Sequence, residues 1–121
     1  MINLSGEAAT LSIEGEEFVA IYRAMNGDEP SAHQRHFCSL CGSHLWAFNP
    51  NWPELLHPVA SAIDTPLPRP PASVHMMLGS KADWVQVTSA EGDACFDEYP
   101  KESLAAYHEA RGYSDVDESG G

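Results

Sequence analysis

The chain has 121 residues, with 18 Asp and Glu against 6 Lys and Arg, for a formal net charge of −12. The length fits one domain whose small core a metal or a partner can reinforce. The acidity reads as solubility and excludes a nucleic-acid or anionic-membrane surface, since both need clustered Lys and Arg.

Residues 1–24 alternate in the manner of strands. Leu11 and Ile13, then Phe18, Ala20 and Tyr22, flank Gly15-Glu16-Glu17, which predicts a hairpin-like pair around a turn. Residues 26–30 are a loop by composition. Residues 34–38 lead as a strand into a cysteine pair, and aromatic, apolar residues 45–48 leave it as another. In 54–63, Pro58 forbids an uninterrupted helix, so a turn followed by a strand at 59–63 is expected. Four prolines in residues 64–71 make an extended loop.

Further on, 73–78 read as a buried strand closed by Gly79, and 81–84 as a turn carrying Trp84. Residues 93–100 set Phe96 and Tyr99 in an acidic frame. Residues 102–111 form a short helix with Leu104, Tyr107 and His108 on one side. The expected fold is mainly β, with several small antiparallel sheets and one short C-terminal helix. It stands on a core including Trp46, Phe48, Val74, Leu78 and Trp84. The domain is read as 1–112, followed by an acidic, disordered tail at 113–121.

Residues 1–7 carry neither the basic nor the apolar region of a signal peptide. No apolar run approaches the roughly 18–20 residues that span a bilayer. Three cysteines, two of them in C-x-x-C, therefore point to a reduced cytoplasm and to metal or redox chemistry, not a disulfide framework. Cys38 and Cys41 are the expected metal ligands. Two intervening residues let a tight turn aim both sulfurs at one zinc ion, about 2.3 Å from each, and Gly42 suits the turn. A redox pair wants a helix N-terminus, whereas these flanks read as strands.

A tetrahedral structural zinc needs four ligands. His33, His36 and His44 surround the pair and are acceptable zinc donors, although their ordinary role is as solvated loop histidines. Cys95 can be recruited by folding, or it is a small buried hydrophobe. His75 lies in an apolar segment, where a satisfied core histidine is the ordinary reading. The acidic pair Asp97-Glu98 reads as a solvated face.

Several motifs in order resemble the glutathione-dependent formaldehyde-activating family, also called centromere protein V-like. Arg35-x-Phe37-Cys38-x-x-Cys41-Gly42-Ser43-x-Leu45 is similar to its knuckle. Pro70 through Trp84, with His75 and Gly79-Ser80-Lys81-Ala82, is similar to a second motif. Phe96-Asp97-Glu98-Tyr99-Pro100 is similar to its closing segment, and residues 11–23 to its first strands. In these motifs Ser43, Lys81 and Trp84 have the bland roles of turn, surface charge and core packing.

The resemblance implies an Mss4-like fold of coiled sheets, and a structural zinc bound by Cys38 and Cys41 together with an earlier C-x-C. It also implies a catalytic three-cysteine zinc site in a C-x-C-x-x-C segment. Carbon–sulfur lyase activity on a glutathione adduct such as S-hydroxymethylglutathione follows, with His75 a weak candidate for the substrate pocket. No cysteine precedes Cys38 in this sequence, so the catalytic trio and half of the structural site are not in it. Two outcomes are expected: a chain truncated by its start site, or a non-catalytic metal- or ligand-binding β domain. A cytoplasmic homodimer is expected in either case, because a sheet that lacks its first strands has an unpaired edge.

Overall fold

A computed structural model describes residues 1–111; the tail expected at 113–121 lies outside them. The chain divides into two compact units, Met1–Pro66 and Leu67–Gly121, and the division falls within the proline-rich stretch.

The first unit carries seven strands: β1 (Gly6–Glu7), β2 (Val19–Tyr22), β3 (Met25–Asn26), β4 (Glu29–Pro30), β5 (Gln34–Cys38), β6 (His44–Phe48) and β7 (Leu55–Pro58). Five of them form an antiparallel sheet in the order β1-β7-β6-β5-β2. The sequences of β2 and β6 are rich in β-branched and aromatic residues, which fit a pleated, half-buried surface. β3 and β4 form a separate small hairpin. Arg23 ties it down by donating from Nε to the Ser31 carbonyl at 2.6 Å.

Two expectations for this unit are corrected. Residues 11–13 do not pair with β2. Gly15 opens a 3-10 turn over Glu16–Phe18 instead, closed by the Phe18 amide on the Gly15 carbonyl at 2.9 Å, and β2 takes β5 as its partner. The strand expected at 59–63 lies earlier, at Leu55–Pro58. Pro58 is tolerated opposite Trp46 because β6 takes its hydrogen bond from the next residue, the Val59 amide donating to the Leu45 carbonyl at 3.0 Å, while the Pro58 carbonyl accepts the Leu4 amide at 2.9 Å. The chain then makes a 3-10 turn at Ala60–Ala62.

The second unit holds β8 (Val74–His75), β9 (Ala94–Cys95) and α1 (Leu104–Arg111). β8 and β9 pair in parallel, with Val74 opposite Ala94 and His75 opposite Cys95. The strand expected over 73–78 is thus cut short. Met77 adopts φ 59°, in the left-handed region, and a 3-10 turn follows at Leu78–Ser80. The amides of Met77, Leu78 and Gly79 donate to the carbonyls of Glu98, Phe96 and Asp97 at 2.8, 3.1 and 2.9 Å, so the segment's hydrogen bonds go to a loop and not to a ladder. Helix α1 starts where the Ser103 hydroxyl accepts the Ala106 amide at 3.1 Å, an N-cap interaction. At its other end the Arg111 guanidinium lies 3.8 Å from the centroid of the Tyr107 ring.

The core differs from expectation. Among the described residues the buried apolar side chains are Ala47, Leu56, Val59 and Tyr107. Trp46, Phe48, Val74 and Leu78 are half-buried. Trp84 is 84% exposed, because the 81–84 turn carries it outward. The overall class stands: among the described residues the chain is mainly β in small sheets, with one α-helix near the C-terminus.

Candidate functional site

The C-x-x-C pair sits in the connection between β5 and β6. Cys38 ends β5, and its carbonyl accepts the Gly42 amide at 2.7 Å while its own amide donates to the Ser43 carbonyl at 2.9 Å. Gly42 takes φ 80°, a conformation that costs an L-residue roughly 1–2 kcal/mol. Ser39 anchors the turn from outside, since its amide and its hydroxyl both donate to the Phe18 carbonyl, at 2.8 and 2.9 Å.

The two thiols are free. Cys38 is half-buried and Cys41 exposed. As a thiol, Cys41 donates to Ser43 Oγ at 3.3 Å. As a thiolate it is the acceptor, and the Ser43 hydroxyl, the Ser43 amide and the Cys38 thiol together hold it below the ordinary thiol value. A cysteine so lowered is a better metal ligand and nucleophile.

A β-bulge adjoins the turn. His36 faces Trp46 and Phe37 faces His44, so Leu45 is left out of the ladder, and its carbonyl accepts the Val59 amide at 3.0 Å instead. Bulges re-aim side chains. Here His44 comes to line an open cleft of about 760 Å³ with Cys38, Cys41, Ser43, Phe18 and Leu40. That volume suits a small-molecule ligand. The Nε2 of His44 is buried without a hydrogen-bond partner.

His33 is the exposed loop histidine expected, whereas His36 and His44 lie within strands. The His36 ring stacks on Trp46 with centroids 4.9 Å apart, and its Nε2 meets Gln34 Oε1 at 3.1 Å. Burial, then nearby His44, lowers its pKa. His33 precedes β5, and its pKa is lowered by burial first and then by Arg35, His57 and His44. Among the described residues no group of three His, Cys, Asp or Glu side chains gathers to hold a metal ion. The residues present thus fit half of a zinc site, two thiols on one turn, and not a closed tetrahedral one.

In the other unit His75 is half-buried and bonded to Asp93 at 3.0 Å, a pairing that sequence reading missed. Cys95 is exposed, contrary to the small buried hydrophobe expected. Residue spacing carries no signal for either. Asp97 and Glu98 are exposed, as read from the sequence. Among the described residues no helix is long and apolar enough to cross a membrane.

A mainly β chain with a paired-thiol turn beside a cleft is the class that the geometry defines. No protein-family model matches the chain, and no solved structure does. It is 56% identical over 107 residues to a Halomonas elongata protein provisionally named a glutathione-dependent formaldehyde-activating enzyme. The match covers 88% of this chain and 68% of that protein. The chain belongs to the glutathione-dependent formaldehyde-activating family, as its motifs implied.

Proposed function

We infer that this protein is a zinc-dependent carbon–sulfur lyase-like member of its family, acting on a glutathione–formaldehyde adduct such as S-hydroxymethylglutathione. The observation that carries the reading is the Cys38–Cys41 turn, with its lowered Cys41, opening onto a cleft of small-molecule size. Cys38 and Cys41 would hold the metal; His44 lines the same cleft, with its Nε2 buried and without a hydrogen-bond partner. Bound zinc would supply Lewis-acid polarisation of an oxygen or a thiolate. The chain's own contribution is to bind and orient. The charged residues lining the cleft are Glu14 and Asp64, with no Lys or Arg among the lining residues. An anionic glutathione adduct would therefore enter with its ammonium end toward these carboxylates and its own carboxylates toward water.

A second reading has its own observation. Two gathered thiols are too few for a closed zinc site, and no third ligand joins them among the described residues. That supports a non-catalytic metal- or ligand-binding domain of the same family. Exchange NMR on mixed glutathione and formaldehyde separates the two. Adduct formation accelerated by the zinc-loaded protein and lost in the Cys38→Ser, Cys41→Ser double variant supports the lyase. A zinc-loaded protein that binds the adduct without changing its rate supports the binding domain.

A further inference from the structure

We propose that Asp93, His75 and Cys95 form a second reactive site in the Leu67–Gly121 unit: a thiol with its own acid–base group, taking a small aldehyde as its substrate. The parallel register places His75 directly opposite Cys95. Partners in a parallel pair share a face, so Cys95 lies beside His75 on one side of the sheet. Asp93, just ahead of β9, reaches the same ring through its carboxylate.

The carboxylate is built in. Asp93 has 8% of its side chain exposed. Its Oδ1 accepts the Ser73 amide at 2.8 Å, and its Oδ2 accepts the Ala90 amide at 3.0 Å and the His75 ring at 3.0 Å. Every donor in this set faces a group that can only accept, so the proton on the ring lies at Nε2. The neutral ring then keeps its lone pair at Nδ1. No hydrogen bond engages that nitrogen, and the side chain is 26% exposed. Asp93 is a positioning residue that fixes tautomer and orientation, as the carboxylate does in nucleophile–histidine–carboxylate sites. Cys95 is exposed, and its thiol donates to the Ser89 hydroxyl at 3.8 Å, so the sulfur must turn from Ser89 to the free His75 Nδ1 before it gives up its proton.

The step balances without an oxidant. His75 Nδ1 takes the Cys95 proton, the sulfur attacks the aldehyde carbon, and the C–S bond forms as the carbonyl π bond opens. The alkoxide then takes the proton back from the imidazolium. The product is a hemithioacetal at Cys95 Sγ, and reversal releases the aldehyde. Only the choice of aldehyde rests on the glutathione–formaldehyde reading above; the action of the dyad on the thiol does not.

The test is peptide-resolved alkylation of the full chain with iodoacetamide, since tryptic peptide 82–101 holds Cys95 and no other cysteine. General-base assistance is worth ~10²–10⁴ in favourable cases, so His75→Gln should slow Cys95 alkylation by about tenfold or more near neutral pH. The rates should converge at high pH, where hydroxide ionises the thiol in both proteins. Rates within twofold at every pH overturn the site. Should H75Q disturb the fold, the parent alone decides: Cys95 must react faster in the native protein than in the same protein in denaturing urea, and equal or slower reaction overturns the site. With ¹³C-formaldehyde the parent should show a hemithioacetal carbon that Cys95→Ser lacks. A spectrum that Cys95→Ser leaves unchanged overturns the aldehyde assignment. Unaltered glutathione adduct chemistry in C95S keeps this site separate from the Cys38–Cys41 cleft.

Discussion

The Gly79 amide donates to the Asp97 carbonyl at 2.9 Å, and a Cβ added at Gly79 would lie 3.0 Å from that same oxygen. The oxygen cannot retreat without losing the hydrogen bond. Gly79→Ala should therefore destabilise the protein by roughly 1–3 kcal/mol, as overpacking does. Met77→Gly, two residues earlier, should stay within about 1 kcal/mol of the parent. It relieves a left-handed φ of 59° but frees the unfolded chain. Urea unfolding of both variants is the check. A Gly79→Ala protein as stable as the parent would mean that the 77–79 turn does not rest on 96–98.

Asp93 predicts a pH dependence. The amides of Ala90 and Ser73, and then His75, hold its carboxyl at about 2. A depressed carboxylate contributes stability above its unfolded value, near 3.9, and loses it as pH falls through the folded value. The link between β8 and β9 should thus persist at pH 5 and weaken between about pH 4 and pH 2. Amide exchange at Ser73 and Ala90 reports it. In Asp93→Asn those amides should exchange faster at neutral pH, and the difference from the parent should shrink toward pH 2. An unchanged exchange profile in the variant would remove Asp93 from this role.

The turn was legible in the sequence because its causes are local: the C-x-x-C spacing, Gly42 at the turn, and the apolar, aromatic residues of β6. Helix α1 was legible for the same reason. The rest depended on distant partners. The end of β7 is held by partners on other segments, Leu45 and Leu4. The break in the 73–78 strand follows from three carbonyls about twenty residues later and from a left-handed Met77 that its side chain does not signal. Trp84 is apolar and exposed, because apolarity alone does not secure a site in the core. The bond between His75 and Asp93 joins residues 18 apart, a separation that no motif encodes.

Zinc content tests the knuckle. Two thiolates leave a tetrahedral ion with open positions, and a complete structural site in small zinc peptides contributes about 10–16 kcal/mol of apparent binding energy, a half-site much less. The purified protein should carry less than one zinc per chain, and the Cys38→Ser, Cys41→Ser double variant should carry none. Elemental analysis of both decides. A double variant that keeps all the parent's zinc would place the metal elsewhere.

Self-association is the last expectation, and two features of the Met1–Pro66 unit argue for it. β2 is the edge of the five-stranded sheet, and the amides and carbonyls on its far side meet no strand among the described residues. Ile21 and Tyr22 on it are 53% and 52% exposed, so the edge is an open template for another chain. Beside the thiols, Leu40 is 73% and Phe18 44% exposed, an apolar rim that a second copy would cover. A two-fold axis through the knuckles would join two half-sites into a four-cysteine zinc site and link metal binding to dimerisation. Sedimentation equilibrium with added zinc should then give twice the 13.2 kDa chain mass, with one ion per two chains, and a chelator should lower the mass. A dimer that survives the chelator would assign association to the β2 edge alone. A 13.2 kDa species at high concentration with zinc present would rule out both routes.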